Sequence, residues 1–161
     1  MPLSLGSTSW IPSGNGTIRN NDITAVDNGV FIGGEAIGAQ AGGGNHIQVS
    51  NPAGSGVTVL VDAFWGNLGP DPQCHICRYD VLLTTDVGTG EDINGNGNAS
   101  LAHIRTETSA ALLGTSLSLL SVPDSMGSLT YPIAIADGDG ILWRCNQASN
   151  YLQMSFIWRE V

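Results

Sequence analysis

Lysine is absent from this chain, and its fixed cations are five arginines set against 14 acidic residues, for a formal charge of -9. A protein with that balance is repelled by duplex nucleic acid and by anionic membrane surfaces, so neither is expected as a partner. Charge of either sign is sparse, at 12% of residues. No run approaches the length of apolar sequence a membrane-crossing helix needs. The N-terminal stretch "MPLSLGSTSW" lacks the basic region and apolar run of a secretion signal, and a cytoplasmic site of synthesis is expected. Three cysteines cannot make an even disulfide framework, which fits a reducing compartment.

Turn formers are plentiful. Glycine contributes 22 residues, and Asn-Gly occurs at Asn15, Asn28, Asn94 and Asn96, a density that points to many short strands. Period-two alternation supports the same class. Leu152, Met154, Phe156 and Trp158 fall on one face of "YLQMSFIW", with Gln153 and Ser155 on the other. Ile141, Trp143 and Cys145 share a face of "ILWRC", Ile133 and Ile135 share one in "YPIAIAD", and Cys77, Tyr79, Val81 and Leu83 share one in "ICRYDVLL". "TSAALLGTSLSLLS" reads as irregular or strand structure. Half-buried antiparallel strands of this kind pack as two sheets, and the expected fold is an all-β antiparallel sandwich, with a jelly roll as the architecture chosen.

The expected organisation is an extended N-terminal arm over residues 1–45 and a jelly-roll-like domain over 46–161. The arm is rich in Gly, Asn, Ser and Thr, with isolated apolar residues including Trp10, Ile11, Ile18, Ile23, Val30, Phe31 and Ile32. Either it adds strands to the following domain or it reaches a neighbouring molecule. Apolar residues so widely spaced need a covering surface, and Trp10, Ile18, Ile23 and Phe31 are the expected interface residues.

Several motifs invite a chemical reading. "VSNPAGSGVTVLV" places a Gly-Ser-Gly loop before an apolar run, as a phosphate loop does, but Val57 stands in the lysine's place and a β-branched strand replaces the helix. The two flanking runs read as a hairpin. "CHIC" has the spacing of a zinc half-site, yet no second half-site follows, and on a strand Cys74 and Cys77 point to opposite faces. "DINGNGNAS" begins like a calcium loop with Asp92, Asn94 and Asn96, but His103 occupies the position of the bidentate glutamate. It reads as a polar loop, and "DGDG" at Asp137–Gly140 as a turn. No Gly-x-Ser-x-Gly elbow is present. The expectation is therefore a non-enzyme with no catalytic residue, no metal and no cofactor.

Taken in order, "VSNPAGSGVTVLVDAF", "YPIAIADGDGILWR" and the terminal "MSFIWREV" resemble small accessory virion proteins of tailed bacteriophages, over roughly residues 45–161. The resemblance implies a sandwich or jelly-roll module on the outer capsid surface, a decoration or cement protein made in the host cytoplasm. Its implied partners are the major capsid protein and further copies of itself, as a dimer or trimer. The alternative it leaves open is a tail or head-fibre module binding a receptor or glycan, for which Trp10, Trp65, Trp143 and Trp158 are the candidate aromatics.

Overall fold

The computed structural model describes residues 29–39, 43–68, 73–121, 125–145 and 150–161. In chain order its strands are β1 (Val30–Ile37), β2 (Gly44–Ser50), β3 (Val59–Leu68), β4 (Gln73–Arg78), β5 (Thr85–Thr89) and β6 (Glu91–Asp92). They continue with β7 (His103–Ser109), β8 (Thr115–Ser121), β9 (Ser125–Ile135), β10 (Gly140–Cys145) and β11 (Leu152–Glu160). No helix occurs among the described residues.

Two antiparallel sheets result. The first has the order β6-β1-β11-β3-β9 and the second β5-β7-β2-β10-β4-β8. Strands from the two halves of the chain pair in nested fashion, β1 with β11, β2 with β10, β3 with β9 and β4 with β8. Further pairing of β11 with β3, β10 with β4, β7 with β2 and β5, and β6 with β1 completes the two sheets.

Alternation decides which residues meet between the sheets. Leu152, Met154, Phe156 and Trp158 are buried along β11 while Gln153 is exposed, and Ile141, Trp143 and Cys145 face the same core from β10. Phe31, Val59, Val61 and Phe64 join from the first sheet, and Ile47, Val49, Ile76 and Ile104 from the second. Aromatic rings span the interior: Trp143 lies 4.5 Å from Phe156 and 5.5 Å from Phe64 between centroids, and Phe31 lies 6.2 Å from Trp158. These tilted pairs fill the space between the two sheets. Gly33 lets β1 approach that core, because a Cβ there would stand 2.8 Å from the Trp158 ring.

Three expectations need correction. The arm does not extend to residue 45: Val30–Ile37 is a strand hydrogen-bonded to β11, and Phe31, expected at an interface, is buried against Trp158. Its alternation of Phe31 with Gly33 gives it an inward face, so the strand-adding alternative holds for this segment. Trp10, Ile18 and Ile23 lie outside the described residues. The runs flanking the Gly-Ser-Gly loop are not a hairpin, since β2 belongs to the second sheet and β3 to the first. β2 is buried throughout, β3 buries Val59, Val61 and Phe64, and the loop carries the chain from one sheet to the other. Finally, β4 stops at Arg78, so Tyr79, Val81 and Leu83 are not one strand face.

Candidate functional site

The Gly-Ser-Gly loop does bind an anion, and the anion is the protein's own. Asp137 accepts hydrogen bonds from Gly54 N–H at 2.7 Å and Gly56 N–H at 3.4 Å. Asn51 ties the same corner together: its side-chain amide donates to the Val57 and Ile135 carbonyls at 2.8 and 3.2 Å, and its backbone pairs with Gly138 and Asp139. "VSNPAGSG" and "ADGDG" are thus two halves of one interlocked corner. Arg78 closes its outside through a 2.6 Å ion pair with Asp139.

Asp92 is used in the same way. Its carboxylate accepts from the backbone N–H of Asn94, Asn96 and Asn98 at 2.9, 3.2 and 3.1 Å. Those donors turn the carboxylate inward on its own loop, which is the geometry of an Asx turn.

The cysteines divide between the two faces of β4, as a two-residue period requires. Cys74 is opposite Cys145 and lies in the main core; Cys77 is opposite Leu142 and lies in a smaller cluster with Leu83 on the other face. Burial pushes the Cys74 thiol up to about 12 and raises that of Cys77 as well. Both are therefore protonated at neutral pH, the form that is a poor nucleophile and a poor metal ligand.

His103 forms part of an exposed cluster on the β5–β7 edge. Its Nδ1 is 2.9 Å from Asp86, which also receives Arg105 at 2.8 Å. Desolvation works to raise the Asp86 carboxyl, but the His103 hydrogen bond and charge, Arg105 and the Gly88 N–H outweigh it and leave the pKa below its ordinary value.

The most elaborate arrangement lies on the outer face of the second sheet. In sheet order β4 and β5 are separated by β10, β2 and β7, while β7 and β8 are separated by β2, β10 and β4. Residues 79–84 and 110–114 therefore cross the sheet as two straps. Gln48 is the clasp of the first. Its Nε2 donates to the Tyr79 and Val81 carbonyls at 2.9 and 3.0 Å, and its Oε1 accepts from Leu83 N–H at 3.1 Å. Glu107 accepts from Thr84 N–H at 3.2 Å. Arg144 holds the second strap, donating to the Leu113 and Gly114 carbonyls at 2.6 and 3.2 Å. Leu83 and Leu113 then pack on Cys77, Leu142 and Tyr79.

Between the straps, register aligns Glu107, His46, Arg144 and His75 across four adjacent strands. His46 is fully buried, with Nδ1 3.3 Å from the Glu107 carbonyl, which makes Nδ1 the protonated nitrogen and Nε2 the bare acceptor. Burial pushes its pKa below 6.5, and Arg144 acts in the same direction. His75 is lowered by the same two causes.

What the straps present to solvent is apolar. Val81, Leu82 and Leu112 are 57%, 47% and 62% exposed. Exposed apolar side chains of this kind are available for contact with another macromolecule. Of the aromatic candidates for sugar stacking, Trp143 and Trp158 are buried in the core, Trp65 is half-buried, and Trp10 lies outside the described residues. Sequence reading passed over Gln48, Arg144 and the straps; the signal available was the loss of alternation in "YDVLLT" directly after a good strand. Comparison with protein-family models, with curated proteins and with solved structures finds no match to this chain.

Proposed function

We propose that this protein is a structural virion module of the capsid decoration or cement type, which stabilises a tailed-phage head from its outer surface. The observation that carries the proposal is the nested pairing of β1, β2, β3 and β4 with β11, β10, β9 and β8. We read this order as a two-stranded ribbon rolled into two sheets, in the manner of a jelly roll, the architecture of many capsid and lectin domains. On this reading β5, β6 and β7 are an insertion that widens both sheets and supplies the two straps. The interlocked corner of Asn51, Gly54, Gly56 and Asp137 joins the motifs on which the phage resemblance rests, which supports reading them as one structural unit.

Acidity, sparse charge and exposed apolar straps suit a protein that docks on a shell and does not contact packaged DNA. Residues 1–28 then serve as the arm, with Trp10, Ile18 and Ile23 as its anchors on the major capsid protein or a sister chain. Binding to the assembled shell stabilises it by mass action, with no reaction assigned to the protein. The glycan-binding alternative is weakened by the burial of Trp143 and Trp158.

Heads prepared with and without the full-length protein test the proposal through heat-induced DNA release. The complete heads should release DNA at the higher temperature, and identical release curves would refute cementing. A Trp10→Ala, Ile18→Ala, Ile23→Ala variant of the full chain should remain folded and bind heads more weakly; undiminished binding would remove the arm from the reading.

A further inference from the structure

The sandwich has two flanks, and they are unlike. One is formed by β5 and β6, which carry Asp86, Glu91 and Asp92, and β6 is only two residues long. Charge and brevity are the usual means of keeping a sheet edge from pairing with another chain. The opposite flank is formed by β8 and β9, of seven and eleven residues. Among the described residues β8 pairs only with β4 and β9 only with β3, and among these residues each leaves a further row of backbone donors and acceptors at the sheet edge.

Neither strand is guarded by charge. From Thr108 to Ala136 the one charged residue is Asp124. Beside the edge, the register of β8 against β4 shifts between Ile76 and Cys77, and Leu117, the residue the shift leaves over, is 60% exposed. Leu112, on the strap that leads into β8, is equally open.

We propose that the β8 edge is a self-association surface, on which a second copy of this chain adds its own β8 antiparallel to the first. Identical antiparallel edges are self-complementary: one two-fold axis gives each strand the same set of hydrogen bonds, and the assembly closes at two. Charge selects the occupant. A basic partner would call for acidic residues at the contact, which this stretch lacks apart from Asp124. A copy of a chain carrying -9 is repelled over most of its surface and least where charge is missing. Leu117 and Leu112 of each copy would be covered in the same step. The inference does not rest on the virion reading.

Sedimentation equilibrium on the full-length protein, from low micromolar to submillimolar concentration, is the test. A concentration-dependent dimer is expected, and Leu117→Lys should weaken it by about tenfold or more, as a charge on a paired edge does. Val87→Lys on the opposite flank should leave it unchanged. Hydrogen exchange of the unmodified protein supplies a readout independent of any variant: β8 amides should slow as concentration rises. A monomer throughout the range, a dimer indifferent to Leu117→Lys, or β8 amides whose exchange is independent of concentration would each overturn the proposal.

Discussion

Glu160 Oε1 lies 2.6 Å from Ser100 Oγ, inside the protein, where β11 meets the loop that leads into β7. The same carboxylate accepts the backbone N–H groups of Leu101 and Ala102 at 2.9 and 3.0 Å and stands 3.4 Å from the Trp158 indole nitrogen. One buried anion therefore satisfies four donors and fixes the 100–102 loop over the end of the core. Removing it takes the acceptor from Leu101 N–H and leaves Ala102 N–H and the Trp158 indole only Ser100 Oγ, at 3.1 and 3.3 Å. Glu160→Ala should cost about 3 kcal/mol in urea unfolding, whereas Ser100→Ala, which leaves Leu101, Ala102 and Trp158 bonded to the carboxylate, should cost about 1 kcal/mol. Equal losses for the two would show that the carboxylate is not the organising group.

Gln48 has the corresponding position beneath the first strap. Its amide makes three bonds to residues 79–83 from a fully buried site, and Gly140 leaves room for it, since a Cβ there would lie 2.7 Å from the Tyr79 carbonyl. Gln48→Ala should lower stability by about 2 kcal/mol, the penalty for a buried polar group left without its partner. Hydrogen exchange at Leu83 should accelerate well beyond that at core positions such as Trp143. Uniform acceleration across both would mean the strap unfolds only with the domain.

The contrast between these residues and the core explains what could be read from sequence. Trp158, Phe156 and Trp143 were legible because two-residue alternation is a direct consequence of strand geometry, and burial follows it. Val30–Ile37 was harder, because "VFIGGEAI" interrupts its alternation with two glycines, Gly33 under the Trp158 ring and Gly34 against the Met154–Ser155 backbone. Gln48 alternates with Ile47 and Val49 like any solvent-facing residue, and only the straps, which are a long-range feature of strand order, bury it. That the Gly-Ser-Gly loop lacks the cation of a phosphate loop is plain from the sequence. That it crosses between sheets depends on pairing partners distant in sequence.

Titration offers a check on the strapped face. His46 and His75 both have folded-state pKa values below 6.5, chiefly through burial, with Arg144 adding to it. The unfolded chain then binds more protons than the folded one, so stability is complete above 6.5 and is lost as pH falls through the depressed folded values. Asp86 is also lowered, from 3.8, and its contribution is retained above that value and lost on further acidification. Urea midpoints should therefore decline in two limbs, the first beginning below pH 6.5. His46→Gln should flatten the first limb and leave the second, and an unchanged first limb would exclude His46 as its source.

The corner built on Asp137 gives the last prediction. Gly54 and Gly56 both have positive φ, at 84° and 72°, and their N–H groups converge on one carboxylate. Backbone amides so arranged form a concave anion site of the sort that binds phosphate when nothing internal fills it. In this chain the internal carboxylate arrives from the β9–β10 turn and pins β2, β3, β9 and β10 at one point. Asp137→Ala should thus have two effects: a loss of about 1 kcal/mol, reflecting two exposed hydrogen bonds to a charged acceptor, and a new, weak, salt-sensitive affinity for inorganic phosphate. Amide chemical shifts of Gly54 and Gly56, followed during a phosphate titration, separate the variant from the unmodified protein. Shifts in the variant alone are expected. Shifts of the same size in the unmodified protein would mean that Asp137 does not occupy the site in solution.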